Sequence, residues 1–315
     1  MNIGIGLYQG FGDLFSLTLI SQGLKSKLHV YSFIECPEIL TRISKNNLII
    51  RKLDKAGLLS GSYRFIKQLK NDKLQAYIIS DFSCTRFTKS KLLQLIACRV
   101  LGIKVIGSRG DKLAFLYDEK LEDLRDVELI KKDYTWISGI LPIEPYDQCV
   151  NEFKANFQPE FTSHKFIFHV GASTLNKKFT PNQVINFVKR FDKSDILIIG
   201  LKSDFLGLEI LSDAGYILKE TLFSEMISLI AGAKHLICFD SLAANVANAF
   251  GINCNIISGP VITEYFFKES ISISIFRSTS DCTKCGSPAC IRGDAKCMSD
   301  FDMNTLFFQI TKIKN

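Results

Sequence analysis

The sequence of 315 residues contains no apolar run near the roughly 18 residues that are needed to cross a bilayer. Its first residues, MNIGIGLYQGFGD, carry neither the basic start nor the small-residue cleavage site of a secretory signal. No basic stretch is interleaved with aromatic residues, so a nucleic-acid partner is not expected. Internal repeats and low-complexity segments are also absent. We therefore expect a globular protein of the cytoplasm, or of the cytoplasmic face of the inner membrane.

The composition is that of an ordinary globular protein, with 47% hydrophobic and 23% charged residues, and the length suggests about two domains. The net charge of +7 is concentrated in the first half. Residues 1–155 carry 23 Lys and Arg against 17 Asp and Glu, whereas residues 156–315 carry 16 against 15. A basic first half suits an anionic partner, such as an acidic glycolipid or a membrane surface, and an ordinary solvated surface explains it equally well.

Short apolar runs rich in β-branched residues recur along the chain and are separated by segments of helical spacing. Buried strands that alternate with helices indicate parallel sheets covered on both faces. The stretch 141–165 contains three of the seven prolines and is the best candidate for a linker. The sequence thus predicts two α/β domains, 1–155 and 156–315. The predicted strands are Asn2–Tyr8, His29–Ile34, Ala76–Ser80, Ile103–Gly107, Lys165–Val170, Asp195–Gly200, His235–Phe239, Cys254–Ser258 and Ser272–Phe276, and the clearest helical patterns are Lys89–Leu101 and Phe223–Ala233.

The turn after the first predicted strand, Gly10–Asp13 (GFGD), comes just before an apolar helix. It is not a dinucleotide fingerprint, because Gly4 and Gly6 lie inside the strand and Gln9 stands where the third glycine belongs. No GxxxxGKS or GxxxxGKT motif occurs either. What remains is Asp13, a carboxylate at a helix start. Its two interpretations are a helix N-cap and a general base that takes a proton from an acceptor hydroxyl.

The loop within His169–Pro181 (HVGASTLNKKFTP) follows another predicted strand and carries groups that suit a diphosphate. It offers backbone N–H groups and the hydroxyls of Ser173 and Thr174. Lys177 and Lys178 follow, just before a helix start. Hydrogen-bond donors, a nearby cation and a helix N-terminus together favour an anion.

A second such loop comes at the end of His235–Phe239, where Asp240 and Ser241 open a helix of small residues. One interpretation is a capped helix that packs closely against the sheet. The other is a binding site, in which the first N–H groups and Ser241 bind phosphate and Asp240 orients hydroxyls of a sugar or ribose. Glu225, near the start of the preceding helical pattern, either caps that helix or accepts a hydrogen bond from a ribose.

In order along the chain, GxGD, HxGAS with KKF, SExxxLIxxA, DSxxxxxAxAxG and the pair Gly259–Pro260 resemble glycosyltransferase family 9, the family of ADP-heptose:lipopolysaccharide heptosyltransferases. The resemblance covers nearly the whole chain, from Gly10 to about Met298. It implies the GT-B fold, in which two Rossmann-like domains face a central cleft, with the acceptor on the first and the nucleotide-sugar donor on the second. It further implies inverting transfer of a heptose from ADP-heptose to lipopolysaccharide core or a related surface glycan, with no catalytic cofactor.

Positions that match the family motifs acquire expected roles through this resemblance. Asp13 is expected to be the catalytic base. Lys177, or Lys178 if the loop alignment shifts by one residue, is expected to contact the donor phosphates. Glu225 matches the acid that binds the ribose. The whole expected donor-binding set is Ser173, Thr174, Lys177, Glu225, Asp240, Ser241 and Asn245.

Three positions depart from the family pattern. Leu242 stands where the family has glycine, Asn245 where it has histidine, and Phe179 where it has tryptophan. Asn245 can hydrogen-bond a hydroxyl or a phosphate, but it cannot carry a charge. Leu242 and Asn245 therefore motivate a second hypothesis, a catalytically silent protein that binds sugar nucleotides. A third is a nucleotide-sugar epimerase of the same fold.

Four of the ten cysteines lie close together after the last predicted strand, as Cys282, Cys285, Cys290 and Cys297. Four thiolates at such spacing can close around zinc or iron, although they lack a paired CxxC arrangement. Free thiols and disulfides are the alternatives, and a reducing compartment disfavours disulfides. The segment is similar to the iron-binding cysteines of autotransporter heptosyltransferases, which modify proteins rather than lipids. We expect a structural clasp rather than a catalytic role.

Overall fold

The computed structural model describes residues 2–7, 11–32, 36–44, 47–53, 58–79, 89–122, 129–287 and 289–312. The chain divides into two compact units, Met1–Phe153 and Lys154–Asn315. Each unit has its own hydrophobic core. None of the helices in the described part of the chain is long and apolar enough to cross a membrane. The roles expected for the two domains stay predictions at this level.

The elements of the first unit are β1 (Ile3–Leu7), α1 (Phe11–Ser21), β2 (Leu28–Ser32), α2 (Glu38–Ile43), β3 (Leu48–Lys52), α3 (Leu58–Asp72), β4 (Ala76–Ile79), α4 (Lys89–Val100), β5 (Lys104–Ser108), β6 (Glu119–Leu121), α5 (Leu129–Ser138) and α6 (Tyr146–Lys154). All six strands are parallel, in the order β3-β2-β1-β4-β5-β6. β2 and β4 are buried throughout, as continuous apolar runs predict.

Two glycines of β1 allow a large side chain to pack directly over the strand. A Cβ atom at Gly4 would lie 2.7 Å from the Tyr77 ring, and one at Gly6 would lie 2.6 Å from the Tyr77 hydroxyl. Both distances are well below van der Waals contact, so neither position accepts a side chain without a shift of Tyr77. The Tyr77 ring packs in turn against Tyr31 and Phe65. These glycines therefore serve the core, in agreement with their exclusion from a dinucleotide fingerprint.

The first unit also holds a buried ion pair between Lys91 of α4 and Asp111, which follows β5. The Asp111 carboxylate accepts further hydrogen bonds from the Tyr117 hydroxyl at 2.6 Å and from the Leu113 N–H at 2.9 Å. Each carboxylate oxygen thus has a protein partner, and the buried charges offset one another. The group is complete without a ligand.

The second unit contains β7 (Phe166–His169), α7 (Pro181–Val188), β8 (Ile196–Gly200), α8 (Glu209–Asp213), β9 (Ile217–Glu220), α9 (Phe223–Ala231), β10 (His235–Phe239), α10 (Leu242–Phe250), β11 (Asn253–Ile257), β12 (Ile273–Phe276), α11 (Lys296–Ser299) and α12 (Met303–Lys312). Its strands are parallel in the order β12-β11-β10-β7-β8-β9. Counted within each unit, both sheets have the order 3-2-1-4-5-6 of the Rossmann fold. The predicted class of two Rossmann-like α/β domains is confirmed.

All nine predicted strands are present, with ends that agree within two residues. Three further strands, β3, β6 and β9, were not predicted from the sequence. Each is the outermost strand of its sheet, paired on one side only. Their sequences, LIIRK, EKL and ILKE, mix charged with apolar residues because an edge strand is partly exposed. A search for continuous apolar runs therefore misses them.

Candidate functional site

The carboxyl ends of the strands of the second sheet meet at one edge, where the strand order reverses between β7 and β10. Such a reversal opens a crevice, because the loops that leave the two strands run in opposite directions. The loop after β7 carries residues 170–180, and the loop after β10 carries Asp240 and Ser241. The topology thus brings together the two loops that the sequence analysis assigns to a donor.

Phe179 anchors the loop after β7 to the core. Its side chain is buried, and its ring meets that of Phe239 edge-on at a centroid distance of 5.2 Å. Within the loop, the Thr174 hydroxyl donates to Asn176 Oδ1 at 2.6 Å, whereas Ser173 is exposed. The loop is therefore held by its own side chains at one end and by an aromatic contact at the other.

The two adjacent lysines of this loop have different surroundings. Lys178 Nζ lies 3.0 Å from Asp204 Oδ1, and both side chains are largely buried. No ion pair joins Lys177 to a described residue, and its positive charge acts on the carboxylate of Asp240. Lys178 therefore has a structural partner, and Lys177 is the cation that faces the predicted donor site.

Asp240 follows β10 and is partly buried, with its Oδ2 accepting a hydrogen bond from the Thr263 hydroxyl at 2.7 Å. Burial raises the pKa of Asp240, and Glu264 acts in the same direction. Lys177, the Thr263 hydrogen bond and Arg277 lower this pKa. Desolvation favours the protonated form of Asp240, whereas the two cations favour its ionised form. A ligand that changes the solvation or the charges around Asp240 therefore changes its protonation.

Ser241 and Asn245 contribute polar atoms that lack partners. Ser241 Oγ and Asn245 Oδ1 are both buried, and neither makes a hydrogen bond with a described residue. The Asn245 amide has a defined orientation, because its Nδ2 lies 3.4 Å from the Ser241 carbonyl oxygen, which can only accept. Ser241 directly precedes α10, yet its side chain makes no capping bond. Buried polar atoms without partners are unfavourable, so this pair points to a ligand rather than to a helix cap.

Among the described residues, Glu225 is not joined to this group by a contact. Glu225 lies in the first turn of α9, where its carboxylate pairs with Lys219 at 3.0 Å, and Lys219 also pairs with Glu160 at 2.8 Å. Asp13 lies inside the first turn of α1 rather than before it, so its backbone is not at the N-cap position. The Asp13 side chain, like residue Gly10 of the same motif, lies outside the described part of the chain.

Sequence reasoning missed a charged group on the other side of Asp240. Arg277, which follows β12, donates to the Gly259 carbonyl oxygen at 3.1 Å and pairs with Glu264 at 2.7 Å. Lys284 pairs with the same carboxylate at 2.6 Å. Burial acts to raise the pKa of Glu264, but the bonds from Lys284 and Arg277 outweigh it and lower the pKa to about 2. One sequence signal was present, the position of Arg277 directly after a predicted strand.

The cysteine-rich segment is bonded to the loops at this edge of the sheet. The Gly286 N–H donates to the Pro260 carbonyl oxygen at 2.7 Å, which joins the segment to the loop after β11. Asn176 Nδ2 donates to the Ser287 carbonyl oxygen at 3.0 Å, which joins it to the loop after β7. The segment therefore packs next to the loops after β7 and β11 at this edge of the sheet.

Cys282, Cys285, Cys290 and Cys297 are free thiols. Burial raises the pKa of Cys297 to about 11, and negative charge on the other three sulfurs acts in the same direction. Backbone N–H groups lower the pKa of Cys290, chiefly that of Ala295, which donates to its Sγ at 3.2 Å. Across the described ranges, no three His, Cys, Asp or Glu side chains form a group that could hold a metal ion. The expectation of zinc or iron here stays a prediction.

His169 ends β7 directly before the donor loop, and it is buried. Its Nδ1 makes no hydrogen bond with a described residue. Burial lowers the pKa of His169 to about 4, although Asp204 and the Gly171 backbone act to raise it. The imidazole is therefore neutral near pH 7, and its protonation is unfavourable in the folded protein.

Mild acid should destabilise the protein through His169. Because its pKa is about 4 in the folded state against the ordinary 6.5, this stabilisation is fully present above pH 6.5 and lost as the pH falls towards 4. The unfolding free energy of both proteins should fall when the pH is lowered from 7 to 5. We expect this fall to be about 1–2 kcal/mol smaller in His169→Gln than in the wild type. Urea unfolding of both proteins at the two pH values measures the difference. Equal losses would show that His169 does not titrate in this range.

No protein-family model and no curated protein matches the chain, whereas solved structures do. Heptosyltransferase WaaC of E. coli, solved with ADP, matches over the whole of both chains with a TM-score of 0.66 and 12% identity. A glycosyl transferase family 9 protein of Veillonella parvula matches with a TM-score of 0.64 and 13% identity, over 99% of this chain and 96% of that one. The iron-containing dodecameric glycosyltransferase TibC of enterotoxigenic E. coli matches with a TM-score of 0.53 and 12% identity, over 99% and 76%.

At these levels of identity, the likeness establishes the fold. It extends over both units, and it agrees with the strand order found in each of them. It also agrees with the resemblance that the ordered motifs carry in the sequence. The chain has the GT-B fold of the family 9 heptosyltransferases.

Proposed function

We propose that the chain is an inverting glycosyltransferase that moves a heptose from ADP-heptose to an acceptor hydroxyl. The proposal rests on the edge at β7 and β10, where the charge of Lys177 acts on the Asp240 carboxylate and where Ser241 Oγ and Asn245 Oδ1 are buried without partners among the described residues. The fold is shared with WaaC, whose structures contain ADP or ADP-2-deoxy-2-fluoro heptose. A nucleoside diphosphate linked to a polyhydroxyl sugar matches both kinds of group at this edge, the cation and the hydrogen-bond acceptors.

The diphosphate of the donor would lie between the two loops. Lys177 supplies a cation, and the N–H groups in the first turn of α10 supply donors. The hydroxyls of Ser173 and Ser241 can add further bonds to phosphate oxygens, and that of Thr174 can do so once it leaves Asn176 Oδ1. As the bond between sugar and diphosphate breaks, negative charge grows on the leaving group, and these preorganised groups stabilise it.

Hydroxyl groups of the donor would meet acceptors on the same edge. Asn245 Oδ1 can only accept a hydrogen bond, so a hydroxyl suits it and a phosphate oxygen does not. Asp240 Oδ1, the carboxylate oxygen that Thr263 does not use, is a second acceptor. Glu225 would accept a hydrogen bond from the ribose while it keeps part of its ion pair with Lys219.

Transfer also needs a base on the acceptor side, and Asp13 is the candidate. Its carboxylate takes the proton of the acceptor hydroxyl as that oxygen forms a bond to the anomeric carbon. On the opposite face of the same carbon, the bond to the diphosphate oxygen breaks, and its electron pair leaves with the diphosphate. A single attack from the rear inverts the configuration of the anomeric carbon. Protein groups alone carry the developing charge in this scheme.

The acceptor would be an anionic glycolipid or glycan of the lipopolysaccharide core or a related surface structure. This part of the proposal is supported by the charge of residues 1–155, with 23 basic against 17 acidic side chains. Such a charge attracts phosphorylated sugars and anionic lipids, and would place the protein at the cytoplasmic face of the inner membrane. An autotransporter protein is the alternative acceptor, and parallel assays with core glycolipid and with protein separate the two.

The two adjacent lysines provide a matched test of donor binding. Lys177→Ala removes the unpaired cation, so we expect the dissociation constant for ADP to rise about tenfold or more, with little change in melting temperature. Lys178→Ala breaks the pair with Asp204, so it should lower the melting temperature and leave ADP binding within about threefold. Calorimetric titration and thermal unfolding give both quantities. Unchanged ADP binding in Lys177→Ala would contradict the assignment.

Asp13→Asn keeps the size of the side chain and removes the base. We expect turnover of ADP-heptose with a core acceptor to fall by about 100-fold or more, while ADP affinity and melting temperature stay near those of the wild type. A large loss of stability with little loss of turnover would instead make Asp13 a structural residue of α1. Donor binding by the wild type without turnover on either class of acceptor would favour the catalytically silent alternative.

We also propose that Cys282, Cys285, Cys290 and Cys297 hold a structural zinc or iron ion that takes no part in the chemistry. Two observations support it: the sulfurs influence one another electrostatically, and a backbone N–H stabilises the thiolate of Cys290. The thiols would close further around the ion on binding. Elemental analysis should find about one metal ion per chain, lost in Cys285→Ser and retained in the control Cys36→Ser. A metal-free protein with four titratable thiols in this segment would contradict the proposal.

A further inference from the structure

Two buried hydroxyls lie together at the carboxyl end of β11. Ser258 and Thr263 are both completely buried, and their hydroxyl oxygens are hydrogen-bonded to each other. The Ser258 N–H donates to the Phe276 carbonyl oxygen of β12 at 2.8 Å, which fixes Ser258 to the sheet. The Thr263 carbonyl oxygen accepts the Phe267 N–H at 2.9 Å, which fixes Thr263 to the short turn that follows. The pair is therefore held by the backbone on both sides.

The direction of these hydrogen bonds follows from which groups can donate and which can only accept. An ionised carboxylate can only accept, so the Thr263 hydroxyl must donate to Asp240 Oδ2, at 2.7 Å. The Thr263 oxygen is then left to accept, and the Ser258 hydroxyl supplies the second hydrogen, which it shares with a longer contact to the Val261 carbonyl oxygen at 3.4 Å. The result is a directed chain from Ser258 through Thr263 to the carboxylate. Successive hydrogen bonds in such a chain polarise and strengthen one another.

The Thr263 hydroxyl makes no hydrogen bond within the turn to which Thr263 belongs. Buried threonines often bond to a backbone group three or four residues away, which satisfies the side chain locally. Here the hydroxyl instead donates to a carboxylate 23 residues away in sequence, in the loop that follows β10. The turn that begins at Thr263 is closed by backbone bonds alone, with no side-chain cap. The hydrogen of the Thr263 hydroxyl is therefore donated to Asp240.

We infer that Thr263, supported by Ser258, is a positioning residue for Asp240, which it fixes so that Oδ1 faces a hydroxyl of the sugar donor. The inference rests on the proposed function and deepens it, because it names the residue that sets the geometry of the sugar contact. Since one carboxylate oxygen is engaged by Thr263, rotation of the group is restricted and the other oxygen keeps a fixed direction. A preorganised acceptor loses less freedom when the sugar binds than a mobile one.

The charged groups around Asp240 determine what removal of the hydroxyl should do. Lys177 from the loop after β7 and Arg277 after β12 favour the anion, whereas Glu264 after β11 and burial favour the acid. The Thr263 hydrogen bond also favours the anion. Without it, the balance moves towards the acid, and sugar binding that needs the anion should weaken first at the acidic end of the pH range.

Thr263→Val is the test, because valine keeps the shape of the buried side chain and removes only the hydroxyl. Calorimetric titration at pH 5.5 to 8.5 compares ADP-heptose with ADP. We expect Thr263→Val to bind ADP-heptose about tenfold more weakly at neutral pH, and ADP within about threefold of the wild type. The pH below which ADP-heptose binding weakens should rise, and Thr263→Ser should restore most of the affinity. Thr221→Val, another buried threonine of the same unit, is the matched control and should change neither affinity.

Equal weakening of ADP and ADP-heptose with an unchanged pH profile would overturn the inference, because a general disturbance of the fold acts on both. A second measurement is independent of the ligand. Carboxyl-carbon NMR of the free protein, with Asp240→Asn for assignment, should show a higher pKa of Asp240 in Thr263→Val than in the wild type. An unchanged Asp240 titration overturns the positioning role. If that titration shifts but the wild type binds no sugar nucleotide, it is the proposed function that fails.

Discussion

The reversal of strand order between β7 and β10 is the constraint on which the candidate site depends. In a parallel sheet every strand delivers its loop to the same edge, and the reversal leaves a gap that the flanking helices do not fill. Residues far apart in sequence, such as Lys177 and Asp240, come close enough to influence each other electrostatically for this reason. The same edge receives the loop after β11 and Arg277 after β12, which explains why a compact set of charges forms there.

Each unit buries polar groups, and two of those at this edge differ from the pair of Lys91 and Asp111 in lacking protein partners among the described residues. In the first unit, Lys91 and Asp111 are buried as a complete pair, and the carboxylate oxygens are saturated by protein donors. In the second unit, Ser241 Oγ and Asn245 Oδ1 are buried without partners, and Lys177 has no paired acid among the described residues. A protein that folds with unsatisfied polar atoms at one place recovers the missing bonds when a ligand arrives. The two unpartnered atoms are candidates for contact with a ligand because they lie on the same edge as Lys177 and Asp240.

The sequence was sufficient for the fold because its central strands are continuous apolar runs, and it failed at β3, β6 and β9 because edge strands carry polar residues. It located both loops of the candidate site, since each directly follows a buried strand. It could not choose between Lys177 and Lys178, because the choice depends on Asp204, more than 20 residues away. The role of Thr263 could not be predicted for the same reason, because its partner Asp240 lies in the loop after another strand. Pairings across strands are set by topology and packing, which a local pattern does not contain.

Two of the three departures from the family pattern, Leu242 and Asn245, have different physical meanings. Leu242 is the first residue of α10, and it is not among the described residues with positive φ, so replacing glycine there introduces no backbone strain. Asn245 keeps a polar atom in the position of the histidine but removes a group that can become cationic. Neither change therefore disturbs the backbone of the edge, while a side chain that can carry a positive charge is missing. In the proposed scheme that loss places more of the diphosphate's stabilisation on Lys177 and the helix N-terminus, and makes Asn245 an acceptor for hydroxyls.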